Sequence, residues 1–435
     1  MQQNPATETP QYPPGPAAPV ALGIDAETLD VLRDAQREFG DVVAMTTTNG
    51  RRAVFVNDPE AVRAVLVRRH PAFRKGRGFE RVKMLLGNGL IVSDGDVWRR
   101  ARTMIQPVFK TRQVARLVPV MMTSAQRSAA RWRVAAAGDA PLDLTRETSV
   151  FALETILAAL FGDAADRDAI AAGTSPFSFL ADDTARDLDT VRRVRALREH
   201  VRGLIRERRA SGPVDQENFL DGYLAARDRQ GEPFADDALL DELMTLVIAG
   251  FETAANTLAW AWYLLAEAPQ MAARLIEEAE RALPDPDAVT AEAVLSMTET
   301  MRTLDEVMRL YPPVWLFTRR TQESTQAGGY TLDAGTDVYL SPYLMQRDAK
   351  RWPDPERFDP DRFADTDLAT AAFFPFSLGP RRCLGEHFAY LEMALHLGVL
   401  LPQFTPHCHG EPRPALDFAI NLRTREDLKL DLVAR

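Results

Sequence analysis

Hydrophobic residues recur at the spacing of an amphipathic helix over most of the chain. The N-terminal part is more varied, and its pattern predicts a helix over 25–40, a hairpin over 42–56, a helix over 57–70 and a long, mobile, glycine-rich loop over 75–96. Asn49 and Gly50 suit the turn of the hairpin. Asp58 and Pro59 suit the first turn of the second helix.

From Val97 to about Gln270 almost every segment has helical spacing, and residues 236–267 form one unusually long helix that Pro269 stops. The elements predicted after it are a helix over 293–313, a β region over 315–341 and a last helix after Cys383. No internal repeat or linker divides the chain. The pattern therefore predicts a mostly α fold with a minor β region. We expect a disordered, proline-rich segment over 1–22 and a single domain over 23–435.

The composition of the chain excludes several functional classes. Its net charge of −10 argues against a general attraction to nucleic acid or to an anionic membrane. Residues 1–22 have neither the basic start nor the apolar core of a signal peptide or a membrane anchor. The apolar run over 245–266 is about long enough to span a membrane. A carboxylate, Glu252, lies inside it, so we predict a buried core helix instead.

One of the chain's two cysteines has unusual neighbours. Cys383 lies between Gly379 and Gly385 and next to two arginines, at the start of a predicted helix. Positive charge and the helix N-terminus favour a thiolate there. The residues leave three interpretations open: a buried small hydrophobe, a nucleophile, or a single axial ligand to haem iron. The other cysteine, Cys408, is too distant in sequence to suggest a disulfide framework, which suits a reducing cytosol.

The segment FSLGPRRCLG over 376–385 resembles the cysteine-loop signature of the cytochrome P-450 family, F-x-x-G-x-R-x-C-x-G. The matching residues are Phe376, Gly379, Arg381, Cys383 and Gly385. The resemblance implies a P-450 fold in which a long central helix lies over haem b and the cysteine loop lies on the proximal side. It implies that Cys383 is the axial ligand of the iron, that Phe376 packs beside the sulfur and that Arg381 pairs with a haem propionate.

Further family motifs occur in the same order. Trp98 and Arg102 match W-x-x-x-R, which implies contact with the propionates. Arg320 fits another propionate-binding arginine, with Arg319 as a close competitor. AGFET over 249–253 resembles the acid–alcohol motif of the central helix. The resemblance implies that Glu252 and Thr253 pass protons to dioxygen and that Gly250 lets the helix open locally.

Glu306 and Arg309 match the E-x-x-R motif of the family. The third member of this network is an arginine of a P-E-R-F motif, for which the chain offers Arg357 and Arg362. Alignment on Trp352 favours Arg362 over the literal match at Arg357. The resemblance implies that the three residues hold the cysteine loop and take no part in catalysis.

The resemblance also implies an apolar substrate pocket, lined by Ala249, Phe251, Val314, Trp315, Phe317 and Phe418. The segments 75–94 and 173–190 would gate access to it. A terpenoid, a fatty acid, a polyketide or an aromatic metabolite would fit. Core packing is the alternative role for the aromatic members of this set.

The implied function is a monooxygenase that inserts one atom of O2 into a C–H or C=C bond of a hydrophobic small molecule. Because the chain has no motif for a reductase, electrons from NAD(P)H would arrive through a ferredoxin and its reductase, or through a flavodoxin-type donor. The alternatives are a haem-thiolate enzyme of another type, namely a peroxygenase, isomerase or dehydratase, and a non-catalytic haem-binding protein. Retention of the acid–alcohol pair favours the monooxygenase.

A basic patch is expected to dock the electron donor, and its predicted members are Arg99, Arg100, Lys110, Arg112, Arg116 and Arg382. We further expect a cytoplasmic monomer without a membrane anchor and without a nucleic-acid partner. The unanchored, acidic chain suggests a bacterial enzyme of specialised metabolism.

Overall fold

The computed structural model describes residues 12–182, 188–212, 218–364, 372–410 and 413–435. Most of them are helical, as the sequence predicts. The α-helices are α1 (Ala26–Phe39), α2 (Pro59–Arg63), α3 (Phe79–Leu86), α4 (Gly95–Ile105), α5 (Thr111–Ala115), α6 (Val118–Ala136), α7 (Leu144–Phe161), α8 (Arg167–Ala171), α9 (Phe179–Asp182), α10 (Leu188–Ala210), α11 (Phe219–Ala225), α12 (Asp236–Glu267), α13 (Pro269–Ala282), α14 (Ala291–Leu295), α15 (Thr298–Leu310), α16 (Pro342–Met345) and α17 (Glu386–Leu400).

The strands are short and form small sheets. They are β1 (Val42–Thr46), β2 (Arg52–Val56), β3 (Phe73–Lys75), β4 (Leu142–Asp143), β5 (Phe317–Thr321), β6 (Thr325–Ala327), β7 (Tyr330–Leu332), β8 (Asp337–Leu340), β9 (Phe404–Cys408), β10 (Leu416–Phe418), β11 (Leu422–Thr424) and β12 (Lys429–Ala434). The largest sheet has the order β1-β2-β8-β5-β3, in which only the β2–β8 pair is parallel. Three smaller sheets pair β4-β12-β9, β10-β11 and β6-β7.

The central helix α12 organises the core. It is 32 residues long and runs without a break through Gly250, packing against α7, α10, α13, α15 and α17. A Cβ at Gly250 would lie 3.0 Å from Cγ1 of Ile156 on α7, so the glycine lets the two helices approach closely. The local opening expected at Gly250 is absent from this helix. No helix among the described residues is long and apolar enough to cross a membrane.

Two elements differ from the sequence-based expectation. The predicted loop over 75–96 contains the helix α3. Gly78 precedes the helix and Gly87 follows it, both at positive φ, so these glycines bound the helix and do not interrupt it. The predicted helix over 293–313 is divided into α14 and α15. Glu278 of α13 causes this division, since its carboxylate accepts the backbone N–H groups of Glu299 and Thr300 at 2.8 Å and so caps a new helix start.

The described part of the N-terminal segment contacts the first hairpin. The carbonyl of Pro14 accepts the N–H of Ala44 at 2.8 Å, and Val20 exchanges hydrogen bonds with Thr46 and Thr48. Residues 12–22 therefore have defined partners, unlike the disordered segment expected over 1–22. Residues 1–11 lie outside the described part of the chain. The division of the chain at residue 22 stays a prediction.

Candidate active site around Cys383

The loop that carries Cys383 is a tight backbone turn before α17. Gly379 has φ 69°, and a Cβ there would lie 2.3 Å from the carbonyl oxygen of Leu66, so only glycine fits. The N–H of Cys383 donates to the carbonyl of Phe376 at 2.9 Å, which closes the turn. Gly385 differs from Gly379. Its φ is −82°, and a Cβ there would lie at an ordinary 3.9 Å from the Cys383 sulfur, so the protein's own atoms do not demand a glycine.

The Cys383 thiol is accessible to solvent, yet protein surrounds it closely enough that burial raises its pKa. The N–H groups of Gly385 and Glu386 and the charge of Arg102 act in the opposite direction. The two adjacent arginines contribute less than the sequence suggests, because Arg381 pairs with Asp94 and Arg382 pairs with Glu386. The charge of Arg382 still interacts with Cys383, so the sequence-based reason for a thiolate is weakened and stays a prediction. A positive ion bound at the sulfur would be needed to hold it as a thiolate.

Cationic side chains collect beside the cysteine loop. Arg381 lies over the Trp98 ring at 4.2 Å and pairs with Asp94. Burial and the charge of Arg381 lower the pKa of Arg319 to about 10. The pKa of the Lys75 ammonium falls well below its usual range, because it is buried and faces both arginines. Among the described residues, Asp94 is the carboxylate that partly offsets these charges. A ligand with two carboxylates would compensate them, and the two propionates of haem fit this requirement.

The structure corrects the prediction for Arg320. Its guanidinium pairs with Asp337, with Nε to Oδ1 at 2.6 Å and Nη2 to Oδ2 at 3.0 Å. Neighbouring residues of a strand point to opposite faces of the sheet, so Arg319 faces the cationic cluster in place of Arg320. Lys75 was not foreseen at all. It lies directly opposite Arg319 in the β3–β5 pair, a relationship between strands far apart in the chain.

Trp98 and Arg102 both lie near the cysteine loop. Trp98 is 9% exposed and stacks under the Arg381 guanidinium. Arg102 donates from Nη1 to the carbonyl of Arg382 at 2.9 Å, and its charge acts on Cys383. The geometry thus joins α4 to the cysteine loop through both residues of the W-x-x-x-R motif.

The acid–alcohol pair of α12 has partners within the protein. The Thr253 hydroxyl donates to the carbonyl of Ala249 at 3.0 Å, one helical turn earlier. Glu252 accepts Nε of Arg423 at 2.8 Å, and Nη2 of the same side chain forms a second, shorter contact. The carboxylate is therefore paired, unlike the isolated acid that the apolar sequence around it suggests. No sequence signal marks Arg423, which comes from β11.

Glu306, Arg309 and Arg362 form one compact network. Arg309 donates from Nε to Oε2 of Glu306 at 2.6 Å and from Nη2 to Oε1 at 2.9 Å, and neither side chain is exposed. Arg362 donates from Nε to Oε1 of Glu306 at 3.1 Å. Arg357 is 70% exposed and does not contact Glu306 among the described interactions. Arg362, not Arg357, thus occupies the third position of this network.

The residues expected to line a substrate pocket divide into two groups. Trp315 is fully buried and donates from its indole N–H to the carbonyl of Ala419 at 2.7 Å, and Phe251 is only 4% exposed within the main core. Both therefore pack in the core, the alternative that the sequence left open, and their assignment to the pocket wall stays a prediction. The other candidates are partly exposed, namely Ala249, Val314, Phe317 and Phe418. Of the expected gating segments, residues 183–187 lie outside the described part.

The predicted basic patch is only partly free of ion pairs. Arg99 pairs with Asp96, Arg100 with Asp228 and Arg382 with Glu386. The remaining three members are exposed and form no ion pair with another described residue: Lys110, Arg112 and Arg116. They lie in and on either side of α5, close in sequence to α4 and its Arg102.

Comparisons with known proteins agree with this site. Residues 10–429 match the family model of cytochrome P450. Cyclooctatin synthase of Streptomyces melanosporofaciens is 31% identical over 402 residues, which cover 87% of this chain and 86% of that protein. Pentalenene oxygenase of Streptomyces avermitilis is 31% identical over 364 residues, which cover 80% of each.

A solved structure gives the same result for the fold. The haem domain of cytochrome P450DA superposes with a TM-score of 0.86 at 25% identity, over 98% of this chain and 96% of that one. The mostly helical fold predicted from the sequence is thereby confirmed. The chain belongs to the cytochrome P450 family and is an oxidoreductase of the monooxygenase class.

Proposed function

We propose that this monooxygenase binds haem b through the Cys383 thiolate and oxidises a hydrophobic, cyclic terpenoid. The observation that carries the cofactor assignment is an accessible thiol beside an excess of enclosed positive charge on Lys75, Arg319 and Arg381. Haem fits this arrangement, because its iron binds a thiolate and its two propionates pair with cationic side chains.

Bound haem would supply the dioxygen and one-electron chemistry. The protein would supply orientation and protons. The N–H groups of Gly385 and Glu386 would stabilise the negative sulfur. Thr253 can exchange its bond to the Ala249 carbonyl for one to a reacting oxygen, and Glu252 is one residue away to replace the proton that is used.

The substrate class is proposed from two independent observations. The partly exposed members of the expected pocket wall, Ala249, Val314, Phe317 and Phe418, are apolar and so suit a hydrocarbon skeleton. Three relatives from Streptomyces are named cyclooctatin synthase, pentalenene oxygenase and cyclooctat-9-en-7-ol 5-monooxygenase. We therefore propose a cyclic terpenoid of specialised metabolism before a fatty acid, a polyketide or an aromatic metabolite.

The electrons are proposed to come from NAD(P)H through a ferredoxin and its reductase, or a flavodoxin-type donor, to a cytoplasmic monomer. Lys110, Arg112 and Arg116 support this, because they are exposed and form no ion pair within the described residues. An acidic donor would find its complement there. Reversal of charge at Arg112 and Arg116 should slow reduction and weaken its dependence on ionic strength. Unchanged rates would place the dock elsewhere.

The cofactor proposal is tested by the absorption spectrum of the purified protein, reduced with dithionite under carbon monoxide. The chain has only two cysteines, so Cys383→Ser is the test and Cys408→Ser is its matched control. We expect a strongly red-shifted Soret band in the wild type and in Cys408→Ser, and its loss in Cys383→Ser. Absence of haem, or a band of the histidine-ligated type in the wild type, would refute thiolate ligation.

The substrate proposal is tested by titration of the oxidised protein with cyclic terpenoids, fatty acids and aromatic compounds. We expect the terpenoids to shift the Soret band at the lowest concentrations. Turnover should then require an electron donor. Efficient turnover with peroxide alone would instead favour a peroxygenase.

A further inference from the structure

A partly buried hydrogen bond next to the cysteine loop belongs to none of the motifs above. The Tyr390 hydroxyl of α17 donates to Oδ1 of Asp305 on α15. The Tyr390 ring lies 5.4 Å from the Phe376 ring, with an angle of 49° between the two planes. The carbonyl of Phe376 accepts the N–H of Cys383 at 2.9 Å. An unbroken series of contacts therefore runs from Asp305 through Tyr390 and Phe376 to Cys383.

The titration of the Asp305 carboxyl makes this hydrogen bond sensitive to pH. Burial raises the pKa of the Asp305 carboxyl to about 6, with a smaller increase from Glu386 of α17, while the Tyr390 hydrogen bond lowers it. Arg382 of the cysteine loop pairs with Glu386 and also faces Tyr390. Burial keeps the pKa of Tyr390 well above its usual range, so the phenol remains a donor at every pH of interest.

We propose that Asp305 and Tyr390 are positioning residues that hold Phe376 against the cysteine loop and set the reduction potential of the iron bound at Cys383 in a pH-dependent manner. This inference rests on the proposed function, since it needs a metal at Cys383. It assigns a role to two residues outside the matched motifs, one of them immediately before Glu306.

The direction of the effect follows from the charge of Asp305. Above its pKa the ionised carboxylate accepts strongly from Tyr390 and places a negative charge behind the loop. A negative charge favours the oxidised iron, which is the more positive form. When the pH falls through about 6, Asp305 takes up a proton, this charge disappears and the reduced iron becomes easier to form. The potential should therefore rise as the pH falls.

The test is anaerobic potentiometry of the haem-loaded protein between pH 5 and 8, followed by its absorption spectrum. In the wild type we expect the ratio of reduced to oxidised haem at a fixed applied potential to increase at least about threefold as the pH falls, with an inflection near pH 6. Asp305→Asn should keep the low-pH ratio of the wild type at every pH and show no inflection. Tyr390→Phe should move the inflection to higher pH, because the bond that lowers the Asp305 pKa is lost.

Tyr311→Phe is the matched control. Tyr311 is a buried tyrosine at the C-terminal end of α15, and its hydroxyl accepts from Arg413 of another segment. We expect it to keep the wild-type inflection. The inference is overturned if Asp305→Asn keeps that inflection, or if Tyr390→Phe and Tyr311→Phe give the same curve.

Failure of the proposed function gives a different result. In that case the wild type lacks the red-shifted carbon monoxide band. If only this inference fails, the band is present in every variant while the potentials do not depend on Asp305 and Tyr390. Tyr390→Phe tests the inference alone if Asp305→Asn does not fold.

Discussion

Two pairs of glutamate and arginine in this protein have the same chemistry and different surroundings. The α15 pair, Glu306 and Arg309, is fully buried and lies three residues apart on one helix. The hairpin pair, Glu252 and Arg423, joins α12 to the small β10–β11 sheet and leaves 11% and 21% of the side chains exposed.

The α15 pair has several additional hydrogen-bond partners. Arg309 donates to the carbonyls of Gln346, Pro355 and Arg357 besides its carboxylate. These additional hydrogen bonds offset the desolvation of two buried charges. They also hold the segment before the cysteine loop in one arrangement. The hairpin pair rests on a two-stranded sheet, an element of low intrinsic stability. The comparison indicates a rigid support on one side of the site and a movable acid on the other.

Removal of one member of the α15 pair should have the largest effect. Arg309→Gln would leave Glu306 buried without its main cation, so we expect the free energy of unfolding to fall by about 3–5 kcal/mol. Urea denaturation monitored by circular dichroism measures this loss. Arg357→Gln, an exposed arginine near the same network, is the control and should change stability by less than about 0.5 kcal/mol. Equal effects for the two variants would refute the structural role of the α15 pair.

A third carboxylate, Glu242, is buried without an ion pair to a described residue, and its pKa differs accordingly. Glu242 of α12 accepts the N–H of Leu90 at 3.0 Å and forms no ion pair with a described residue. Burial raises its pKa to about 7. The folded state therefore holds a proton that the unfolded state releases at lower pH, so this contribution is complete below about pH 4 and is lost as the pH rises through 7.

The loss should amount to about 3 kcal/mol between those limits, and Glu242→Gln should abolish it. The measurement is urea denaturation at several pH values, comparing the slope of stability against pH in the two proteins. Glu306→Gln is unsuitable as a control, because Arg309 and Arg362 both pair with the Glu306 carboxylate. Glu267→Gln, at the exposed end of the same helix, should keep the wild-type slope. Parallel curves for Glu242→Gln and the wild type would contradict the assignment.

The hairpin pair should affect catalysis more than folding. Glu252→Gln keeps the shape of the side chain but cannot relay a proton, so we expect turnover to fall about 100-fold, with a stability change near 1 kcal/mol. The rate of product formation, measured with a chemical reductant system, gives the result. Glu267→Gln is again the control. Turnover close to that of the wild type would remove Glu252 from the proton path.

The sequence predicted well the features that depend on local spacing. Glu306 and Arg309 are neighbours on any helix, and Arg362 follows from its distance to Trp352, so motif alignment located their network. The tight turn at Gly379 could be predicted for the same reason, because it depends on a local backbone conformation with positive φ that favours glycine.

Features that depend on contacts between distant segments could not be predicted in this way. Arg319 and Arg320 are adjacent, and only the register of β5 decides which one faces Lys75. The bonds from Arg423 to Glu252 and from Tyr390 to Asp305 cross 171 and 85 residues of sequence. A pattern within one segment carries no information about either.

The smallest effect should follow from removal of the arginine of the hairpin pair. Arg423→Gln leaves Glu252 in place and partly exposed, so solvent can replace the lost partner and the free energy of unfolding should fall by only about 1 kcal/mol. Arg425→Gln, an exposed arginine one residue past β11, should change it less. Thermal unfolding of both variants measures the difference. If Arg423→Gln cost as much as Arg309→Gln, the hairpin would be a rigid support like α15, and the movable acid inferred from the comparison would not exist.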